Sequence, residues 1–181
     1  MTIWADADSL PREVKNLIGR RAGSSTGEFP IRAIFVANKP MPLPPGKNLQ
    51  AVIVGPAGAS ASQPSTTAKP GPGRGRDDAY ETADDYIMAA AAPGDILVTR
   101  DIPLAARAVD KGIVALNDRG ALWTAGEVRE RLSLRDHMTG LRELGAAPPS
   151  SRNRSFGPKD VKAFADALDR AIRATLGVQR T

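Results

Sequence analysis

At 181 residues, 41% of them hydrophobic, the chain is long enough for one globular domain with a real core. It has no cysteine and a single histidine, His137, which excludes disulfides, thiolate catalysis, zinc–thiolate sites and multi-histidine metal sites. A net charge of +5 favours a polyanionic partner, while aromatic residues at only 4% argue against a surface that stacks successive bases.

Residues 2–5 read as a first strand. Pro11 then opens a helix through residue 21, with Val14, Leu17 and Ile18 as its apolar stripe. Asp6 and Asp8 interrupt the only apolar stretch near the N-terminus, so no signal peptide is expected. Residues 24–27 form a polar turn. Residues 31–37 are apolar on both alternating sets, which suits a strand covered on both faces. Residues 39–47 are proline-rich, and residues 49–54 form the third strand. From 55 to 76 the chain is mostly Gly, Pro, Ser, Ala and Thr, with Lys69, Arg74 and Arg76 as its basic residues. This stretch reads as a flexible insertion, either a tolerated low-complexity segment or a basic arm that holds a phosphate backbone.

A helix is predicted over 77–92, closed by Pro93-Gly94, then a fourth strand over 95–99 and a short helix over 103–111. Residues 113–116 give a fifth strand, followed by the turn Asn117-Asp118-Arg119-Gly120. Thr124 caps a helix through residue 131, and a second helical stretch covers 134–144. Residues 146–157, with Arg152 and Arg154, read as a loop. The last helix spans 158–176, with Val161, Phe164, Leu168, Ile172 and Leu176 on one face. There is no internal repeat and no run near the roughly 20 apolar residues of a membrane span. Strands alternating with helices predict a single α/β domain over 1–181 with a mostly parallel sheet. A cytoplasmic protein with no membrane partner is the expectation.

The chemistry gathers at carboxylates. Thr99-Arg100-Asp101-Ile102-Pro103-Leu104 follows the apolar run Ile96-Leu97-Val98 and delivers Asp101 where a strand gives way to a helix. Asp6 and Asp8 stand in the same kind of place after Ile3-Trp4-Ala5. Glu81, Asp84 and Asp85 are spaced i, i+3, i+4 and share one helix face. Strand carboxyl ends share one edge of a parallel sheet, and ligands bind there. Carboxylates meeting at that edge need a cation, and oxygen-only donors select Mg²⁺ or Mn²⁺. Plainer readings exist for each piece. Asp8 or Ser9 could cap the helix after the first strand, and Asp101 could cap the short helix that begins at Pro103. Glu81, Asp84 and Asp85 could be a solvated face. Asn117 and Asp118 suit local backbone bonding in a turn, and His137 could pack or face solvent.

A longer pattern runs through the chain: Asp6-Ala7-Asp8 with Pro11 and Val14-Lys15, then Val36-Ala37-Asn38, then Ala83-Asp84-Asp85-Tyr86-Ile87. It continues through residues 94–105, Lys111-Gly112, Arg119-Gly120, Arg131-Leu132, Leu134-Arg135-Asp136, Met138, Leu141-Arg142, Gly145, Phe164 and Leu168-Asp169. Together these residues resemble the YaiI/YqxD family of bacterial proteins, also called UPF0178 or DUF188. The resemblance covers nearly the whole chain apart from 55–76. It implies a PIN-like three-layer α/β/α fold, because the family is grouped with the PIN-domain nucleases, and it brings no established activity. By analogy with those nucleases, Asp6, Asp84 or Glu81, and Asp101 fall at acidic positions. The chain departs from the family pattern in three places: Leu10 replaces the usual cysteine of the opening motif, Glu81 stands for the usual Asp, and Pro148-Pro149-Ser150-Ser151 replaces a Gly-Gly-Pro segment.

The expectation is a divalent-metal-dependent nuclease-like protein acting on RNA or single-stranded nucleic acid. Asp6, Asp84 and Asp101 would be the catalytic metal ligands, and Asp8, Glu81 and Asp85 would ligate, orient water or form an outer shell. Arg100, Arg119 and Arg135 are candidates to steady phosphates, or to pair with the acids instead. The alternatives are a non-enzymatic module that binds RNA or a protein, and a phosphohydrolase acting on a small phosphate ester.

Overall fold

The computed structural model describes residues 1–25, 30–44, 46–54, 80, 82–143 and 155–178. Glu81, the whole of the predicted insertion 55–76, and Arg152 and Arg154 lie outside them. The described residues form five strands and five helices. In chain order they are β1 (Thr2–Asp6), α1 (Arg12–Gly23), β2 (Arg32–Ala37), β3 (Leu49–Ile53), α2 (Ala83–Ala90), β4 (Ile96–Val98), α3 (Ile102–Asp110), β5 (Val114–Leu116), α4 (Ala125–Glu143) and α5 (Pro158–Val178).

The strands pair in the order β3-β2-β1-β4-β5, all parallel. Their side chains alternate between two cores, as the two-residue period of a strand requires. Ile3, Ala5, Phe35, Ile96 and Val98 face one side and pack with Val14, Leu17 and Ile18 of α1 and Phe164 and Leu168 of α5. Trp4, Val36 and Leu97 face the other and meet Ile87 of α2, Leu104 and Ala108 of α3, and Val128 of α4. Helices cover both faces of one sheet, which is the expected three-layer α/β/α architecture. It also explains why the inner strands are apolar on both alternating sets.

Two local features differ from the sequence reading. Among the residues predicted helical before Ala83, Tyr80 and Thr82 lie outside α2: Thr82 is extended and its hydroxyl accepts from Asp85 N–H at 3.2 Å, starting the helix there. The predicted pair of helices after Thr124 is one continuous helix, because Leu132 and Ser133 supply no breaker and nothing interrupts the backbone ladder. Thr124 and Glu127 cap it reciprocally, with Glu127 N–H on Thr124 Oγ1 and Thr124 N–H on Glu127 Oε2, both at 3.2 Å. Gly120, at φ +81°, brings the turn after β5 onto α5, and a Cβ there would sit 2.5 Å from the Ala163 carbonyl oxygen. Among the described residues no helix is long and apolar enough to cross a membrane.

Candidate acidic site at the carboxyl edge of the sheet

β2 and β3 lie on one side of β1, β4 and β5 on the other, so the strand order reverses between β1 and β4. The carboxyl ends of that pair open the crevice where such sheets bind ligands. Asp6 is the last residue of β1 and is buried; Thr99 follows β4 and is fully buried. Thr99 Oγ1 donates to Asp6 Oδ2 at 2.8 Å and accepts from Asp101 N–H at 2.9 Å. One hydroxyl therefore fixes the Asp6 carboxylate against the turn that carries Asp101. Asp101 is the N-cap of α3, its Oδ1 accepting from Leu104 N–H at 2.8 Å. The helix-cap reading of Asp101 is thus correct, and it leaves Oδ2 outside the cap.

Asp84 comes from the first turn of α2 and is half-buried. Its pKa is raised from 3.8 to about 6, by burial first and then by the negative charges of Asp6 and Asp101. Arg107 pulls it down, and Asp85 adds a smaller push upward. Asp6 and Asp101 are therefore close enough for their charges to act on Asp84. The donor chemistry, carboxylate oxygen alone, fits a hard divalent cation. The spacing does not close around one. Among the described residues no three Asp, Glu or His side chains form a group that could hold a metal ion. Like charges in a half-buried site push apart, and Thr99 and Leu104 N–H each hold one carboxylate oxygen in place.

The remaining acids are engaged elsewhere. Asp8 is exposed, and its Oδ2 accepts from Asn38 N–H at 2.7 Å and Asn38 Nδ2 at 3.0 Å. Neither Asp8 nor Ser9 caps α1, whose N-cap is Pro11 with no side-chain bond. Ser9 Oγ instead donates to Asp6 O at 3.2 Å and accepts from Arg100 N–H at 3.3 Å, stitching the two strand-end turns together. Both oxygens of Asp85 are used, Oδ2 by the Thr82 hydroxyl at 2.8 Å and Oδ1 by Arg107 at 2.9 Å. Those two bonds hold its carboxyl below the usual range.

The phosphate candidates divide. Arg100 is exposed, and its Nε lies 3.5 Å from Asp118 Oδ2. Arg119 turns toward α5, 3.8 Å from Asp160. Arg135 is exposed on α4. Several participants carry no sequence signal of their own. Arg107 reaches Asp85 across two helices, and Asp118, read as a turn residue, is buried beneath Arg100. Asn117 does serve the turn, its Oδ1 accepting from Arg119 and Ala121 N–H at 2.8 and 2.9 Å. Lys15 Nζ donates to Ala7 O at 3.2 Å, which places a cation beside the β1 end. Separately, an apolar groove of about 450 Å³ runs between β5 and α5, lined by Val109, Ile113, Leu122, Trp123, Ala171 and Ala174. None of the acidic candidates lines it.

Residues 76–174 match the family described as "Uncharacterized BCR, YaiI/YqxD family". A UPF0178 protein of Syntrophobacter fumaroxidans is 38% identical over 179 residues, covering 99% of each chain. The chain belongs to the YaiI/YqxD family. A UPF0178 protein of Psychromonas ingrahamii is 37% identical over 96% of each chain, and one of Treponema pallidum is 38% identical over 99% of this chain and 86% of its own. No solved structure matches the chain. Within the YaiI/YqxD pattern, the departure at Leu10 has a plain structural consequence. Leu10 is buried in the core beside α1, so the position packs as an ordinary hydrophobe. Glu81 and residues 148–151, the other two departures, lie outside the described residues.

Proposed function

We propose that this YaiI/YqxD protein is a divalent-metal-dependent nuclease acting on RNA or single-stranded nucleic acid. The observation that carries the reading is a half-buried Asp84 at the β1–β4 crevice, lifted to about 6 by burial first and then by the charges of Asp6 and Asp101. Structural carboxylates normally find donors; a set that crowds its own charge marks a functional site. Asp6, Asp84 and Asp101 would hold Mg²⁺ or Mn²⁺ only once the cation draws them together, since as they stand no three acids among the described residues form a metal-ready group. The Asp101 Oδ2 and both Asp84 oxygens lie outside the hydrogen bonds described above. A bound cation of this type supplies an activated water and charge stabilisation at a phosphodiester. The chain's own residues position it: Thr99 orients Asp6, α3 orients Asp101, and Arg107, paired with Asp85, brings a guanidinium that acts on Asp84. The net charge of +5 suits a polyanionic substrate.

The test is hydrolysis of end-labelled RNA in Mn²⁺, comparing wild type with Asp101→Asn. Loss of cleavage in the variant supports the reading; equal activity in both, or none in either with any divalent metal, refutes it. A second reading is favoured by the open spacing of the acids and the capping duty of Asp101: a non-enzymatic module of the same fold that binds RNA or protein. RNA binding that survives Asp101→Asn, with no turnover by wild type, is its signature. Cleavage of small phosphate esters but not RNA would point to a phosphohydrolase instead.

A further inference from the structure

We infer that Asn38 is the positioning residue of this edge, tying the first turn of α2 to the end of β1, and that Asp8 serves the site through Asn38 and not as a ligand. The inference rests on the metal-site reading above and extends it to residues that would not touch the ion. Asn38 directly follows β2. Its backbone N–H and its Nδ2 both donate to Asp8 Oδ2, at 2.7 and 3.0 Å, and its Oδ1 accepts from Ala83 N–H at 3.2 Å. The Ala83 amide is one of the donors a helix cannot satisfy within itself at its N-terminus.

The chemistry fixes the orientation of the amide. A carboxylate can only accept, so Nδ2 must face Asp8, and Oδ1 is then left for the helix amide. No other side chain of that length offers a donor at one tip and an acceptor at the other. One residue therefore joins elements 30 and 45 positions away in sequence. Ala83 is buried, and the next residue is Asp84. Asp6 and Asp101 repel Asp84, and Asn38 holds the first turn of α2 against them from the β1 side, while the Asp85–Arg107 pair ties the same turn to α3. Asp8 spends one oxygen on two donors from Asn38, which accounts for an acid in the strand-end motif whose bonds lead away from Asp6 and Asp101.

The experiment measures two quantities on the full-length chain: Mn²⁺ affinity by calorimetry, and amide exchange of the first turn of α2 in metal-free buffer. Asp8→Asn keeps an acceptor for Asn38 but removes the charge, so it should stay within about threefold of wild type in affinity, while Asp8→Ala and Asn38→Ala should weaken Mn²⁺ by about tenfold or more. Exchange at Ala83 should accelerate about tenfold in Asn38→Ala and Asp8→Ala and remain unchanged in Asp8→Asn. Asn38→Asp, which has the same shape but repels Asp8, serves should Asn38→Ala not fold. If Asp8→Asn loses Mn²⁺ as completely as Asp101→Asn, Asp8 is a ligand and the inference is overturned. Unchanged affinity and exchange in Asn38→Ala overturns it equally. If wild type takes up no Mn²⁺, the metal reading fails, and exchange alone then decides whether Asn38 is the tie.

Discussion

At the amino end of the β1–β4 pair, one carboxylate meets three donors. Asp95 accepts from Thr2 N–H at 2.7 Å, the Trp4 indole at 3.0 Å and Ala92 N–H at 3.3 Å. At the carboxyl end of the same two strands, Asp6 and Asp101 share the Thr99 hydroxyl and turn, and Asp84 is pressed toward them without a hydrogen-bonding partner among the described residues. Both ends are partly buried. The first is a finished structural joint, in which donors match acceptors. The second holds more negative charge than its surroundings neutralise, and a fold keeps such an arrangement only where something else gains from it. That contrast separates Asp95 from the acids at the other end of the strands more cleanly than residue type can.

The largest effect should fall on the finished joint. Asp95→Ala strands the Thr2 amide and the Trp4 indole and should lower stability by about 3 kcal/mol, measured by chemical denaturation, with no direct effect on cation binding. Thr99→Val removes the hydroxyl but keeps the shape. It should cost about 2 kcal/mol, because the buried Asp6 carboxylate and the Asp101 amide each lose the Thr99 hydroxyl as a partner, whereas Thr99→Ser should recover most of it. An Asp95→Ala protein as stable as wild type would erase the distinction between the two ends.

At the carboxyl end the sign reverses. Asp84 ionises near 6 in the fold and near 3.8 when unfolded, so its charged form is the one the fold disfavours. Below 3.8 both states are protonated and nothing is lost; as pH rises toward 6 the unfolded chain sheds its proton first, and the native state is destabilised, fully so above 6. Asp84→Asn should therefore stabilise the metal-free protein at pH 7 by on the order of 1 kcal/mol, after allowing for solvent screening of a half-exposed group, and by nothing below about pH 4. A gain that persists at low pH would mean packing, not charge, is responsible. Smallest of all, Asp101→Asn should change stability by less than about 0.5 kcal/mol, since asparagine caps a helix as well as aspartate does. Its loss of hydrolysis would then be chemical in origin.

The layers of the fold were legible because period-two and period-3.6 patterns report burial directly, and all five strands lie where those patterns fall. Asp6 and Asp101 were legible for the same reason, since a carboxylate just beyond an apolar run sits at a strand end. What the sequence hid was pairing. Arg107 meets Asp85 across a separation of 22 residues, and Asp118 looks like any turn acid until Arg100 is seen above it. Thr99 and Asn38 were visible only as letters in a motif; their roles depend on which donor faces which oxygen. The break expected within α4 failed because Ser133 is a mild helix disfavourer and no stop signal.

The most direct measurement is a pH titration of the Asp84 carboxyl by carbon NMR in metal-free wild type and in Asp6→Asn. Convergence of the three acids predicts a midpoint near 6 that falls toward the ordinary aspartate range when the Asp6 charge is removed. A midpoint near 3.8 in wild type, or one near 6 that ignores Asp6→Asn, would show that the acids do not share a site.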